Sequence, residues 1–194
     1  YVGNMHTETV TVVNIDKIAP RGIVEYSYEG EPDSCDMEKW TNKNIVAAIS
    51  FEDDGLSPVT VTSDGGSSHV FEVNGTFSFE YADAAGNMGT TTIKIEKIDK
   101  SPPTGTVNYS NMRWTNQPIT ARLTTQDGEG TVRIVNNSGS SEFILTKENE
   151  EFIFAVEDEA GNRADIKAIT NRIDMTPPKL AVTVTPEGKT FGSV

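Results

Sequence analysis

Residues 86 to 103 read GNMGTTTIKIEKIDKSPP, and the same eighteen-residue pattern stands at 3 to 20 as GNMHTETVTVVNIDKIAP and at 161 to 178 as GNRADIKAITNRIDMTPP. The copies at 3 and 86 agree at nine of eighteen positions without a gap, and all three share the Gly-Asn start, an Ile-Asp pair and the final proline. Offsets of 83 and 75 residues separate them, so the repeating unit is a small domain and not one turn of a solenoid. The interior agrees too. Pro20 to Ser27 matches Pro103 to Ser110, Trp40-Thr-Asn42 matches Trp114-Thr-Asn116, and Phe77, Phe79 and Asp83 fall opposite Phe152, Phe154 and Asp158. Between the first two of these blocks the separation drops from 83 to 74, which places a nine-residue insertion around Glu29 to Glu38 in the first unit, with Cys35 inside it. Complete units are therefore expected at 15–98 and 99–173. Residues 1–14 match only the last strand of a unit and 174–194 only the opening of one, and are read as truncated repeats of a longer tandem array.

Within each unit the apolar residues alternate, as in Ile45, Ala47, Ile49 and Phe51 and at the matching Ile119, Ala121 and Leu123. A period of two marks a strand with one buried face. The same alternation at Ile23 to Tyr26, Val59 to Val61, Val70 to Val73, Phe77 to Tyr81 and Ile93 to Ile95, divided by Gly, Asn, Asp and Ser, predicts six or seven short strands per unit. That spacing belongs to a β-sandwich. A unit of about 80 residues builds a thin core and gains from its neighbours.

The 194 residues carry 16 Lys and Arg against 29 Asp and Glu, a net charge of −13. Such a surface repels phosphate, which sets aside nucleic acid and anionic membranes as partners. No apolar run exceeds about five residues, as in Ile45 to Ile49, against the roughly 20 that cross a bilayer; membrane insertion is not expected, and an export signal would lie outside this stretch. Cys35 is the single cysteine and His6 and His69 are the only histidines. An internal disulfide and zinc sites of Cys and His are thereby excluded, and any metal would be held by oxygen. A nucleophile triad needs a base, normally histidine, and neither His6 nor His69 recurs at the matching place in the other unit. An enzyme is not expected.

Asp83-Ala-Ala-Gly-Asn87, Asp158-Glu-Ala-Gly-Asn162 and the linkers Asp99-Lys-Ser-Pro-Pro103 and Asp174-Met-Thr-Pro-Pro178 resemble tandem bacterial immunoglobulin-like repeats. The likeness runs through the whole chain and departs from immune-type domains in lacking paired cysteines. It implies an all-β chain of Ig-like sandwiches set end to end, about seven short strands each, in an exported protein of the bacterial cell surface or extracellular space. The role it implies is a non-enzymatic spacer whose partners are neighbouring repeats of the parent chain and which presents another domain. The alternatives are an adhesion module for a host protein or glycan, and accessory domains of a secreted carbohydrate-active enzyme or protease.

If such units stack end to end, three places meet at one pole: the loop after the second strand, the loop before the last strand, and the incoming linker. In unit one these hold Asp53 with Glu52 and Asp54, then Asp83, and Asp16; in unit two they hold Asp127 with Glu129, then Asp158 with Glu157 and Glu159, and Asp99. Carboxylates converging without His or Cys suit Ca2+, which takes 6 to 8 oxygen ligands and binds extracellular modules at about 10⁻⁴ to 10⁻³ M. Asp16, Asp53, Asp83, Asp99, Asp127 and Asp158 are the candidate junction ligands. The competing reading is turn chemistry alone, since Asp-x-x-Gly-Asn also suits a tight turn, with a local Asp side-chain bond and a glycine at positive φ. Either way, the linker prolines limit bending.

Trp40 and Trp114 recur just before the second strand, where packing competes with sugar stacking as their role. The acidic insertion Glu29 to Glu38 reads as a solvated loop or a partner contact, and Cys35 as a surface thiol or a crosslink between chains. Asn74, Asn108 and Asn136 stand in Asn-x-Ser/Thr triplets, which carry meaning only in a eukaryotic secretory setting.

Overall fold

The computed structural model describes residues 3, 5–12, 15–31, 33, 35–52, 58–128, 130–184 and 188. They form an all-β molecule. The first six strands are β1 (Arg21–Tyr28), β2 (Ile45–Glu52), β3 (Val59–Val61), β4 (Ser68–Phe71), β5 (Gly75–Asp83) and β6 (Met88–Ile95). The next six are β7 (Thr104–Tyr109), β8 (Ile119–Gln126), β9 (Val132–Ile134), β10 (Glu142–Leu145), β11 (Glu151–Asp158) and β12 (Arg163–Ile169). They pair antiparallel into four three-stranded sheets, β1-β2-β4, β3-β5-β6, β7-β8-β10 and β9-β11-β12. The second half thus repeats the topology of the first. Among the described residues each unit carries six strands, one fewer than the upper expectation. The expected strand at Val70 to Val73 runs instead over Ser68–Phe71, leaving Val73 in the turn that enters β5. No helix of the described residues is long and apolar enough to cross a membrane.

The alternation sets the layers. β2 and β8 bury the same positions in the same order, Ile45, Ala47 and Ile49 in one and Ile119, Ala121 and Leu123 in the other. In the first unit this row joins Phe71 of β4 and packs against Phe79 and Tyr81 of β5 and Ile93 and Ile95 of β6. Ile119, Ala121, Leu123 and Leu145 likewise meet Phe154, Val156 and Ala168. One row alone could not leave water, because a sheet face is shielded only by a second face. The likeness extends to ring geometry. His69 stacks on Phe77 with centroids 3.8 Å apart and planes at 12°, and Phe143 stacks on Phe152 at 3.8 Å and 10°. An imidazole fills a phenyl site because it offers a flat ring of similar width. Gly89 is required by close approach: a Cβ there would lie 2.2 Å from Cε2 of Tyr81, whose hydroxyl accepts the Gly22 N–H at 2.9 Å.

The insertion is held, not loose. The Glu29 N–H donates to the Asn44 carbonyl at 3.0 Å and the Cys35 N–H to the Tyr26 carbonyl at 3.1 Å. Cys35 and Met37 pack on the first core, with the thiol 3.6 Å from the Met37 sulfur. Cys35 is therefore half-buried, and burial pushes its thiol up. The charged Glu31, Asp33, Asp36 and Glu38 are exposed, as expected of a solvated loop, while the expected surface thiol is instead half-buried with Met37 against the core. Asn74 and Asn136 use their amides structurally. Asn74 Oδ1 accepts the Ile98 N–H at 2.7 Å and its Nδ2 donates to the Ile98 carbonyl at 2.9 Å. Asn136 bridges the Ile153 carbonyl at 2.7 Å and the Ala155 N–H at 3.0 Å in the same way.

Both large rings at the centres of the cores, Phe79 and Phe154, are fully buried. Phe154→Ala is expected to destabilise the second unit by about 3–5 kcal/mol, read from urea denaturation followed by circular dichroism. Phe79→Ala is expected to do the same to the first.

Candidate metal centre

Each unit closes its far end in one way. Thr41 forms a parallel bridge with Ile98, its N–H donating to the Lys97 carbonyl and its carbonyl accepting the Asp99 N–H, both at 2.9 Å. Thr115 repeats this with Ile173, through Arg172 and Asp174, again at 2.9 Å. The linker aspartates then fold back on themselves. Oδ1 of Asp16, Asp99 and Asp174 accepts the N–H two residues on, from Ile18, Ser101 and Thr176, each at 2.9 Å. The Ile-Asp repeat thus encodes a side-chain turn that commits one carboxylate oxygen.

The near end of unit two carries the matching turn. Asp158 ends β11, and Gly161 supplies φ of 90°, a conformation that glycine alone adopts without strain. The Asn162 backbone N–H donates to Asp158 Oδ1 at 2.8 Å and its side-chain Nδ2 to Asp158 Oδ2 at 2.8 Å. The same Nδ2 reaches the Asp99 carbonyl at 3.0 Å. Asp127 follows β8, its Oδ1 accepting the Gly128 N–H at 2.9 Å.

Asp99, Asp127 and Asp158 therefore converge. One carboxylate oxygen from each lies within 4.8 Å of the others, and Asp99 and Asp158 are buried. Asp99 is 7% exposed, and its Oδ2 is buried without a hydrogen-bond partner. At an effective dielectric near 20, each pair of charges at that range repels by on the order of 3 kcal/mol, and an unpartnered buried oxygen adds a desolvation cost. Hard oxygen donors with a spare buried carboxylate oxygen fit Ca2+, the remaining coordination being open to carbonyl groups and water.

The other candidates are placed differently. In unit one, Asp83 repeats the turn, accepting the Asn87 N–H at 2.8 Å and Nδ2 at 2.7 Å. Asp16 is half-buried in its linker, and Asp53, with Asp54, lies outside the described residues. The structure thus brings together the three of unit two. Glu129 is also outside the described residues. Glu157 and Glu159 do not join the cluster. Glu157 lies between Arg133 and Arg163, which hold its carboxyl below the usual range, while Glu159 accepts the Thr131 hydroxyl at 2.6 Å. Asn162, Thr41 and Asn42 were not singled out by sequence. The signal was the asparagine present at 4, 87 and 162, which a tight turn alone does not demand. His6 is exposed and His69 sits in its ring stack. In comparisons with known proteins, the chain matches no family model and no curated sequence.

Two measurements follow from this geometry. In chelator, Asp99→Asn is expected to raise stability by about 1 kcal/mol, because the amide keeps the Oδ1 turn and removes one charge from the cluster; thermal melts of both proteins in EDTA read it. The second concerns Asp83. Burial raises its carboxyl, but hydrogen bonds from the Asn87 side chain and from the Asn87, Gly86 and Ala85 backbone outweigh this and hold it low. A depressed folded value contributes stability above the unfolded carboxylate pKa of about 4, lost as the pH falls through the folded value. Melts from pH 6 to pH 3 are expected to show the wild type more stable than Asp83→Asn at pH 6 and the two converging on the acid side.

Proposed function

We propose that the chain is a non-enzymatic spacer segment of an exported bacterial protein, made of tandem Ig-like sandwiches whose junction is stiffened by Ca2+. The observation that carries the reading is the position of the carboxylate cluster. Asp99 lies in the linker, while Asp127 and Asp158 lie in loops of the unit that follows, so a bound cation ties a linker to a domain. Direct bonds support the same role: the Asn42 N–H of the first unit donates to the Ala160 carbonyl of the second at 3.1 Å, and Asn162 grips the linker at Asp99. Pro102 and Pro103 limit the remaining freedom. The repeated two-sheet units support the Ig-like assignment, and a cation site of this class operates where calcium is millimolar, as it is outside cells.

A binding role for host protein or glycan draws less support. Among the described residues Trp114 is the one aromatic side chain left mostly exposed, at 59%, and Arg172 lies over its ring at 5.6 Å. Trp40 is half-buried, in a groove of about 370 Å³ with Glu38, Lys39, Lys97 and Glu159. These tryptophans sit at the ends of units and do not form a platform.

The test combines scattering and melting. With 5 mM Ca2+ and a Kd in the extracellular range, binding adds about 1–2 kcal/mol to stability, and small-angle scattering is expected to show reduced flexibility at the junction relative to EDTA. A melting temperature and scattering curve indifferent to calcium and chelator would overturn the metal part and return the aspartates to turn chemistry.

A further inference from the structure

The two far ends of the repeats have one backbone design but different neighbours, and comparing them isolates what the second unit adds. Asp99 and Asp174 are each held by a bond from their own N–H to the threonine carbonyl of their unit and by the same side-chain turn. Yet Asp99 is buried and Asp174 exposed, Thr41 is buried and Thr115 half-buried, and Trp40 is half-buried where Trp114 is exposed. The upstream unit therefore presents its linker aspartate ready-made, and the downstream turn covers it. That turn has three simultaneous tasks. Asp158 supplies a carboxylate to the cluster, the Ala160 carbonyl receives the Asn42 N–H, and Asn162 joins Asp158 to the Asp99 carbonyl.

We infer that the cation site, whose three aspartates lie within 99–173, is completed by the upstream repeat, with Thr41 and Asn42 of that unit acting as positioning residues, so that divalent-cation binding and docking of the repeats stabilise one another. This rests on the calcium reading above. The physical reason is linkage. Asp99 approaches Asp127 and Asp158 only while Thr41 fixes its backbone and the Asn42–Ala160 bond holds the turn against the upstream unit. A cation that favours the closed cluster favours the docked junction by the same factor. Without upstream anchoring, three mutually repelling carboxylates lose the third member at little cost.

The test uses the full chain titrated with CaCl2 by calorimetry. Asn42→Pro removes the N–H donor to Ala160, and a Gly-Gly insertion between Ile98 and Asp99 frees Asp99 from Thr41; both leave all three aspartates in the sequence. Each is expected to weaken calcium binding about tenfold. The same two changes at the other end, Asn116→Pro and Gly-Gly between Ile173 and Asp174, are expected to leave affinity within about twofold, which controls for damage from proline or glycine at that position. In a Trp114→Phe background, calcium is expected to shift the emission of Trp40, and Asn42→Pro to abolish the shift. Calcium binding by the wild type with equal affinity in Asn42→Pro and in the Ile98–Asp99 insertion overturns the coupling and leaves the calcium reading standing. No heat and no emission change in the wild type overturns both.

Discussion

A single side-chain amide, that of Asn162, ties the junction together. Its Nδ2 is shared between the Asp158 carboxylate and the Asp99 carbonyl, so the turn before β12 and the linker between the units have one position relative to each other. Burial makes the constraint strong. Asp158 is 3% exposed and Asn162 9%, and a buried polar group that loses its partner bears the full desolvation penalty. The Asn42 N–H to the Ala160 carbonyl and the Asp99 N–H to the Thr41 carbonyl act beside it, from the other side of the junction.

The antiparallel sheets and the cores between them stand behind that bond. Asp127 and Asp158 extend directly from β8 and β11, whose buried rows, Ile119, Ala121 and Leu123 and then Phe154 and Val156, are locked in one core. Loops that leave a packed strand within one residue inherit its position, whereas long loops wander. The opposite end of each unit uses a bridging threonine to close the last strand onto the segment before the second. Both halves carry the same turn before the last strand and the same bridging threonine bonded to the aspartate after it.

Much of this was legible from sequence. The period-two rows predicted β2, β5, β6, β8 and β11. Asp99, Asp127 and Asp158 were three of six aspartates expected to meet on the condition that the units stack end to end, and these three lie together. What could not be read was how each oxygen is used. Asp-x-x-Gly-Asn is compatible with both turn chemistry and metal ligation, and the structure shows the turn consuming Oδ1 of Asp99 while its Oδ2 stays buried without a partner. Glu157 and Glu159 sit beside Asp158 in sequence, yet Arg133, Arg163 and Thr131, brought across by sheet pairing and the neighbouring loop, take their carboxylates. The insertion read as solvated because its charges dominate the count, while Cys35 and Met37 alone decide which side faces the core.

The sequence by itself determined the strand rows, the repeat and the Asp-x-x-Gly-Asn turn, because all three rest on local periodicity and on bonds spanning four residues. Only the tertiary structure decided which aspartates are buried together and which carboxylates arginine neutralises. Those outcomes depend on distances between segments far apart in the chain, and identical local geometry at Asp99 and Asp174 yields a buried group in one place and an exposed group in the other.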